Sequence, residues 1–333
     1  MTLPLARRAP LLSTTYTDAP LDALLAQPDV LAVIAFGAQA PHSDDPRLIR
    51  VALEPLGHAP LEVWRGGAPV RHGRVDDLAF AHDDHLLVAA MDVPEIDGDI
   101  RTAAAHAYAS LRTQTAALGY PHLLRIWNYV DDITLGEGDE ERYKQFCVGR
   151  AAGLGEGFVT ETLPAATAIG RIRPNGRLQV YWLASRTPGT PLENPRQVSA
   201  YRYPRQYGPQ PPSFARAMLP PAPMPLLLSG TASIRGHESL HHDSVEAQLD
   251  ETLANIDALI DVARTTRPEL PAAPAASTPL KAYVREADEL ARVDAAMASR
   301  LPGVPRVVLH ARVCRRELRL EIDGCHGEVT TWD

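Results

Sequence analysis

The sequence predicts an α+β fold built from two degenerate α/β modules, each a mixed sheet covered by helices. Three observations predict it. Short runs alternate apolar and polar residues as strands do, while a few longer runs carry apolar residues near the helical period. The order helix, strand, helix, strand, strand occurs twice along the 333 residues. One long Pro-, Arg- and Tyr-rich stretch separates the two occurrences. These observations divide the chain into an N-terminal α+β domain (1–190), a connecting segment (191–222) and a C-terminal domain (223–333).

The first 100 residues read as short strands and turns. "DVLAVIAFG" (29–37), "RLIRVALEP" (47–55) and "HLLVAAMDV" (85–93) are the clearest strands, bounded by Pro, Gly and Asp clusters. A helix is expected from Ile100 to Leu118, with Ala104, Ala107, Tyr108, Leu111 and Leu118 as its apolar stripe. The strand "HLLRIWNYV" (122–130) follows, then a helix over 139–151 with Asp139 as N-cap. "GLGEGF" (153–158) follows a helix rather than a strand and lacks a Lys-Ser/Thr pair, so it reads as a turn and not a phosphate loop. "ATAIGRI" (166–172) and "GRLQVYWLAS" (176–185), joined by a turn at Pro174-Asn175-Gly176, close this half.

The second half begins with the strand "PLLLSGTASI" (225–234). Residues 244–264 carry Val245, Leu249, Leu253, Ile256, Ile260 and Ala263 on one helical face, with Asp243 and Glu246 as an acidic capping box. A Pro/Ala-rich linker (268–279), the strand "LKAYVRE" (280–286) and a short helix (288–300) follow. "PRVVLHARVC" (305–314) and "LRLEIDG" (318–324) are expected as a closing hairpin.

Composition limits the function. Hydrophobic residues make up 45% and charged residues 22%, as in soluble globular proteins. The net charge of -8 argues against a nucleic-acid partner. No apolar run has the length of a membrane span or a signal peptide, so no membrane partner is expected and the location read is cytoplasmic. Cys147, Cys314 and Cys325 cannot complete a disulfide framework. Of 33 basic residues only Lys144 and Lys281 are lysine, so an anionic ligand will meet guanidinium forks that suit carboxylates.

Three groups of residues could carry chemistry. Arg142, Arg150, Arg202, Arg205 and Arg216 are interleaved with Tyr143, Tyr201, Tyr203 and Tyr207, either as a solvated surface or as a group that binds an anion. Tyr143, Phe146, Cys147 and Arg150 fall on one helical face. "GHESLHHD" (236–243) gathers His237, His241 and His242, but it lacks the Glu of a zinc-hydrolase helix, so loop and cap hydrogen bonding is expected and no metal. In "RRELRLEIDG" (315–324), period two sets Leu318, Leu320 and Ile322 on one face and Arg319, Glu321 and Asp323 on the other. Read alone, that makes Glu321 a solvated strand residue.

The order of motifs adds to this. "LLLSGTASI", "QLDETLANIDALI", "LKAYVRE", "PRVVLHARV" and "LRLEIDG" together resemble the YjgF/Rid fold, which implies two degenerate Rid-like (YjgF-type) modules. Over a longer span, "RIWNYVDDI", "GDEERYKQFCVGRA", "PLENPRQVSAYRYPRQYGP", "SFARA" and "SGTASIRGHES" resemble the chorismatase family. That resemblance implies a cofactor-free enzyme that converts chorismate to pyruvate and 3-hydroxybenzoate, with 4-hydroxybenzoate as a second product. By the same resemblance Glu321 is the acid that protonates the enolpyruvyl group. Cys314 matches the hydroxybenzoate-forming members, though it could equally be a small core residue. Tyr143 and Arg150 match substrate-pocket positions; Arg202, Arg216 and Tyr207 rank next, with Ala232 as a pocket wall. The rival readings are a chorismate hydrolase giving a dihydroxycyclohexadiene carboxylate, a Rid-type imine deaminase, and a non-catalytic aromatic-acid-binding protein. A monomer is expected.

Overall fold

The computed structural model describes residues 12–67, 69–155 and 160–327. The N-terminal region gives β1 (Leu12–Thr17), α1 (Leu21–Leu25), β2 (Val30–Phe36), β3 (Leu48–Val51), β4 (Glu54–Pro55), β5 (Leu61–Gly66), β6 (Arg71–Val75) and β7 (Leu78–His82). Next come β8 (Leu86–Pro94), α2 (Ile100–Ala117), β9 (His122–Asp131), α3 (Arg142–Leu154), β10 (Ala165–Arg171) and β11 (Arg177–Ser185). The connecting segment contributes β12 (Thr190–Leu192) and β13 (Ala217–Leu219). The chain continues with β14 (Leu226–Ala232), β15 (Ile234–Arg235), β16 (Glu238–Ser239), α4 (Val245–Thr266), β17 (Leu280–Val284), α5 (Leu290–Arg300), β18 (Arg306–His310), β19 (Arg312–Val313) and β20 (Leu320–His326).

Two seven-stranded sheets repeat one topology. In one the order is β19-β10-β9-β11-β8-β7-β6; in the other it is β12-β13-β14-β20-β17-β18-β4. In each, the last long strand of the module returns between its first two: β11 lies between β8 and β9, and β20 between β14 and β17, both antiparallel to their neighbours. The crossover strands β10 and β18 run parallel to β9 and β17, as a strand–helix–strand connection requires. The two α+β modules expected from the repeated order are therefore present, with mixed sheets. A smaller sheet, β1-β5-β2-β3, accompanies them.

Each sheet presents one face to a common core. Leu31, Ile34 and Trp64 from the small sheet, Leu124, Trp127 and Tyr181 from the first module, and Leu227, Tyr283 and Leu309 from the second meet there. The outer faces are closed by helices: Tyr108 and Leu111 of α2 pack on Ile126 and Trp182, and Leu249 and Ile256 of α4 pack on Leu320 and Ile322. Because β20 has helices on one side and other sheets on the other, all seven of its residues are buried. No described helix is long and apolar enough to cross a membrane.

Several local expectations need correction. The last two long strands do not form a hairpin: β17 separates β18 from β20, and the chain leaves β18 through β19, which pairs with β10 of the other module. Strands β10 and β11, joined through Pro174-Asn175-Gly176, each pair with β9. Asp139 does not cap α3. Glu141 is extended (φ -57°, ψ 129°), so the helix starts at Arg142, and Asp139 instead pairs with Arg205 at 2.5 Å. Ser244, not Asp243, caps α4 by accepting from the Ala247 N–H. The turn expected at "GLGEGF" (153–158) lies in part outside the described residues.

Candidate active site

A pocket of about 250 Å³ opens where the edge of the first module meets the second. Its floor comes from Ala166, Thr167 and Ala168 of β10, Gly230 and Ala232 of β14, and Glu321 of β20. Strands β10 and β14 are held together by Ser229, whose hydroxyl accepts from the Ala166 N–H (3.0 Å) and donates to the Ala215 carbonyl (2.6 Å). The β14–β20 register shifts between Leu228 and Thr231, a bulge beside a site, and it brings Gly230 up against the Glu321 carboxyl.

Helix α3 supplies one wall, with Tyr143 and Arg150. Its placement depends on Gly149 and Gly153, where an added Cβ would strike the Arg101 and Ala105 carbonyls of α2. The two helices therefore lie backbone to backbone, at the cost of two helix-interior glycines. The connecting segment supplies the opposite wall with Tyr203, Tyr207, Phe214 and Arg216. Cys314, Arg315 and Leu318, from the turn between β19 and β20, complete the rim.

The cations here are held by aromatic rings more than by carboxylates. Arg150 is only 3% exposed, and its guanidinium carbon lies 5.1 Å from the Tyr108 ring centre. Its Nε and Nη2 are buried and have no hydrogen-bond partner among the described residues. Arg216 donates through Nη2 to the Val198 carbonyl (3.0 Å) and the Tyr203 hydroxyl (2.6 Å), while its Nε is unpartnered. Arg315 lies 4.1 Å from the Tyr207 ring centre and 5.1 Å from that of Tyr203. Buried donors without partners are costly, so two guanidinium groups with free N–H edges make a site for an acidic ligand.

Glu321 is the buried carboxyl of this pocket, whose other glutamates, Glu141 and Glu317, are more exposed. No described residue hydrogen-bonds the Glu321 carboxyl, and burial pushes its pKa up to about 8. The neighbouring Asp323 charge acts in the same direction, while Arg125 and Arg216 act against it. A carboxyl group so placed holds its proton at neutral pH and can donate it. Cys314 stays a neutral thiol: burial first, then the adjacent Glu321 charge, push its pKa up. Burial likewise raises that of Tyr143 well above the ordinary phenol value.

Of the residues picked from sequence, Glu321, Cys314, Tyr143, Arg150, Tyr207, Arg216 and Ala232 all line this one pocket. Arg202 does not line it. It is exposed beside the Tyr201 ring, near Glu193. The sequence reading did not single out Thr167, Phe214, Gly230 or Arg315. Phe214 and Gly230 sit inside quoted motifs ("SFARA", "SGTASI"), and a glycine within a strand signals close approach of another group. Of the histidines, His237 reaches the Tyr207 hydroxyl through Nδ1 (3.2 Å), and His242 reaches the Ser239 carbonyl.

The chain is similar to known proteins over most of its length. The family described as "Chorismatase FkbO/Hyg5-like, N-terminal" matches residues 62–184. A protein named "Chorismatase" from Streptomyces rapamycinicus is 37% identical over 79% of this chain and 81% of its own length. This chain belongs to the chorismatase family. Another protein, named "3-hydroxybenzoate synthase", from Streptomyces hygroscopicus, is 34% identical over 79% of this chain and 80% of its own. A crystal structure titled as a chorismatase superposes with a TM-score of 0.83 at 33% identity, covering 97% of this chain and all of that one. The two-module fold and its enlarged N-terminal region are thus the chorismatase architecture.

Proposed function

We propose that the pocket binds chorismate and that the enzyme converts it to pyruvate and 3-hydroxybenzoate, with 4-hydroxybenzoate as a second product. The observation that carries the reading is the buried Glu321 carboxyl set in a pocket with two buried guanidinium groups. Chorismate has two carboxylates, an enolpyruvyl ether at C3 and a hydroxyl at C4. Arg150 and Arg216 offer free N–H edges to the carboxylates, and Tyr143 and Tyr207 can flank the ring or donate to them.

Glu321 gives its proton to the enolpyruvyl methylene carbon. The ether carbon becomes oxocarbenium-like, and its oxygen becomes part of a good leaving group. The C4 hydroxyl oxygen then bonds to C3 as the C3–O bond breaks. The hydroxyl proton returns to the Glu321 carboxylate, and pyruvate leaves. The arene-oxide-like intermediate opens at its C4–O bond, the oxygen on C3 takes up a proton, and the hydrogen that was on C3 is lost, restoring the aromatic ring of 3-hydroxybenzoate. Opening at C3–O with loss of the C4 hydrogen gives the 4-isomer. No water is consumed. Cys314, Leu318 and Ala232 make this end of the pocket small and apolar, which favours the internal route over hydrolysis to the dihydroxycyclohexadiene carboxylate. The relative named "3-hydroxybenzoate synthase" supports the same product.

The test is to incubate the purified protein with chorismate, measure pyruvate, and identify the ring product by chromatography. Pyruvate with 3-hydroxybenzoate supports the reading. Pyruvate with only the diene diol replaces it by hydrolysis, and unchanged chorismate ends it.

A further inference from the structure

Glu321 reaches the pocket only because one neighbour has no side chain. A Cβ built on Gly230 would collide with Glu321 Oε1, lie 2.8 Å from its Cδ, and sit 3.2 Å from Thr167 Oγ1. The colliding atoms are the mobile end of a side chain, while the strand carrying Gly230 has little freedom to retreat. Ser229 ties it to Ala166 and Ala215, its N–H donates to the Arg216 carbonyl (3.1 Å), and its carbonyl accepts from the Thr231 hydroxyl (2.9 Å). Thr167 is fixed as well, by donating to Asp323 Oδ2 at 2.7 Å. A methyl group at position 230 must therefore move the carboxyl and not the backbone.

We propose that Gly230 is a positioning residue: with Thr167 it forms a seat that sets where the Glu321 carboxyl points, and so where the proton is delivered. This rests on the reading of Glu321 as the acid. Misplacing a reacting group by about 1 Å costs on the order of 10²-fold in rate.

The experiment is a mutant cycle on kcat, with Gly230→Ala, Glu321→Asp and the double variant assayed for pyruvate release. Aspartate withdraws the carboxyl by one methylene and leaves room for the new methyl. Gly230→Ala is expected to keep its melting temperature and a KM within roughly threefold, while kcat falls on the order of 10²-fold. Added to Glu321→Asp, it is expected to cost less than about fivefold. A Gly230→Ala enzyme that fails to fold but is restored by Glu321→Asp supports the same collision. Wild-type kcat in Gly230→Ala, equal cost in both backgrounds, or misfolding in both would overturn the seat. Full turnover by Glu321→Gln would instead end the underlying reading of Glu321.

Discussion

Glu321 and Asp323 point from the same face of β20, about 6.6 Å apart along the strand, yet they have opposite surroundings. Asp323 Oδ2 accepts from Arg125, Trp127, Thr167 and Tyr283 at 2.7 to 3.1 Å, and Lys281 stands 3.6 Å from Oδ1. Glu321 meets no such donors and faces the pocket. Two carboxyl groups on one strand are thereby set to different tasks. Asp323 is a charge locked between sheets, and its field helps keep Glu321 an acid.

That division gives a pH dependence. A group whose pKa is raised to about 8 is protonated below that value and loses its proton above it. The value of kcat/KM is expected to hold through neutral pH and fall tenfold per unit above about pH 8. The charged groups facing Glu321 are Asp323, Arg125 and Arg216, with Cys314 and Tyr143 nearby, so removing Asp323 should move the limb to lower pH. Proton linkage works in the same sense on stability: the Glu321 contribution is present at acid pH and lost as pH rises through about 8. Glu321→Gln should therefore gain melting temperature over wild type in alkaline buffer but not in acid.

Arg150 should separate binding from folding. Replacing it with Met keeps the packing on Tyr108 and removes Nε and Nη2, which have no partner among the described residues. Arg150→Met is expected to melt no lower than wild type and to lose roughly 10²-fold or more in kcat/KM. Arg202→Ala, at an exposed position outside the pocket, is expected to change kcat/KM less than about threefold. Steady-state kinetics and a thermal melt check both.

Cys314 should affect the product and not the rate of pyruvate release. A thiol held neutral by burial is a poor nucleophile, so iodoacetamide at neutral pH should inactivate slowly. Cys314→Ala should still release pyruvate but alter the ratio of ring products, read by chromatography.

Asp323 should be worth more to the fold than any pocket residue. It bridges Arg125 of one module and Lys281 of the other, and Lys281 also pairs with Glu62 of the small sheet at 2.9 Å. Asp323→Ala leaves buried cations without their partner and is expected to cost roughly 3–5 kcal/mol in denaturant unfolding.

Much of this was legible in the sequence, and the failures have physical causes. The repeated element order and the apolar stripes of α2 and α4 are local patterns, and they gave the two modules. The insertion of β20 between β14 and β17 is a non-local pairing, which no period or turn residue encodes. Alternation placed Glu321 and Asp323 correctly on one face of the strand but gave that face to solvent. The reason is that an all-sheet face opposite reads no differently from water in a single strand's pattern. The same holds for Arg125, Lys281 and Glu62, charged strand residues that pair with one another across sheets. The pocket residues were found through the resemblance to the chorismatase family, since residue types and spacing alone left the Arg/Tyr group open and Glu321 in solvent; Gly230 was passed over because its role is the absence of a side chain.

The central claim is that Glu321 supplies the proton, and kcat for pyruvate release by Glu321→Gln tests it most directly. The variant keeps the shape of the side chain and cannot act as the acid. A folded enzyme with kcat lower by roughly 10²- to 10⁴-fold is the predicted result. Turnover close to wild type would contradict the account.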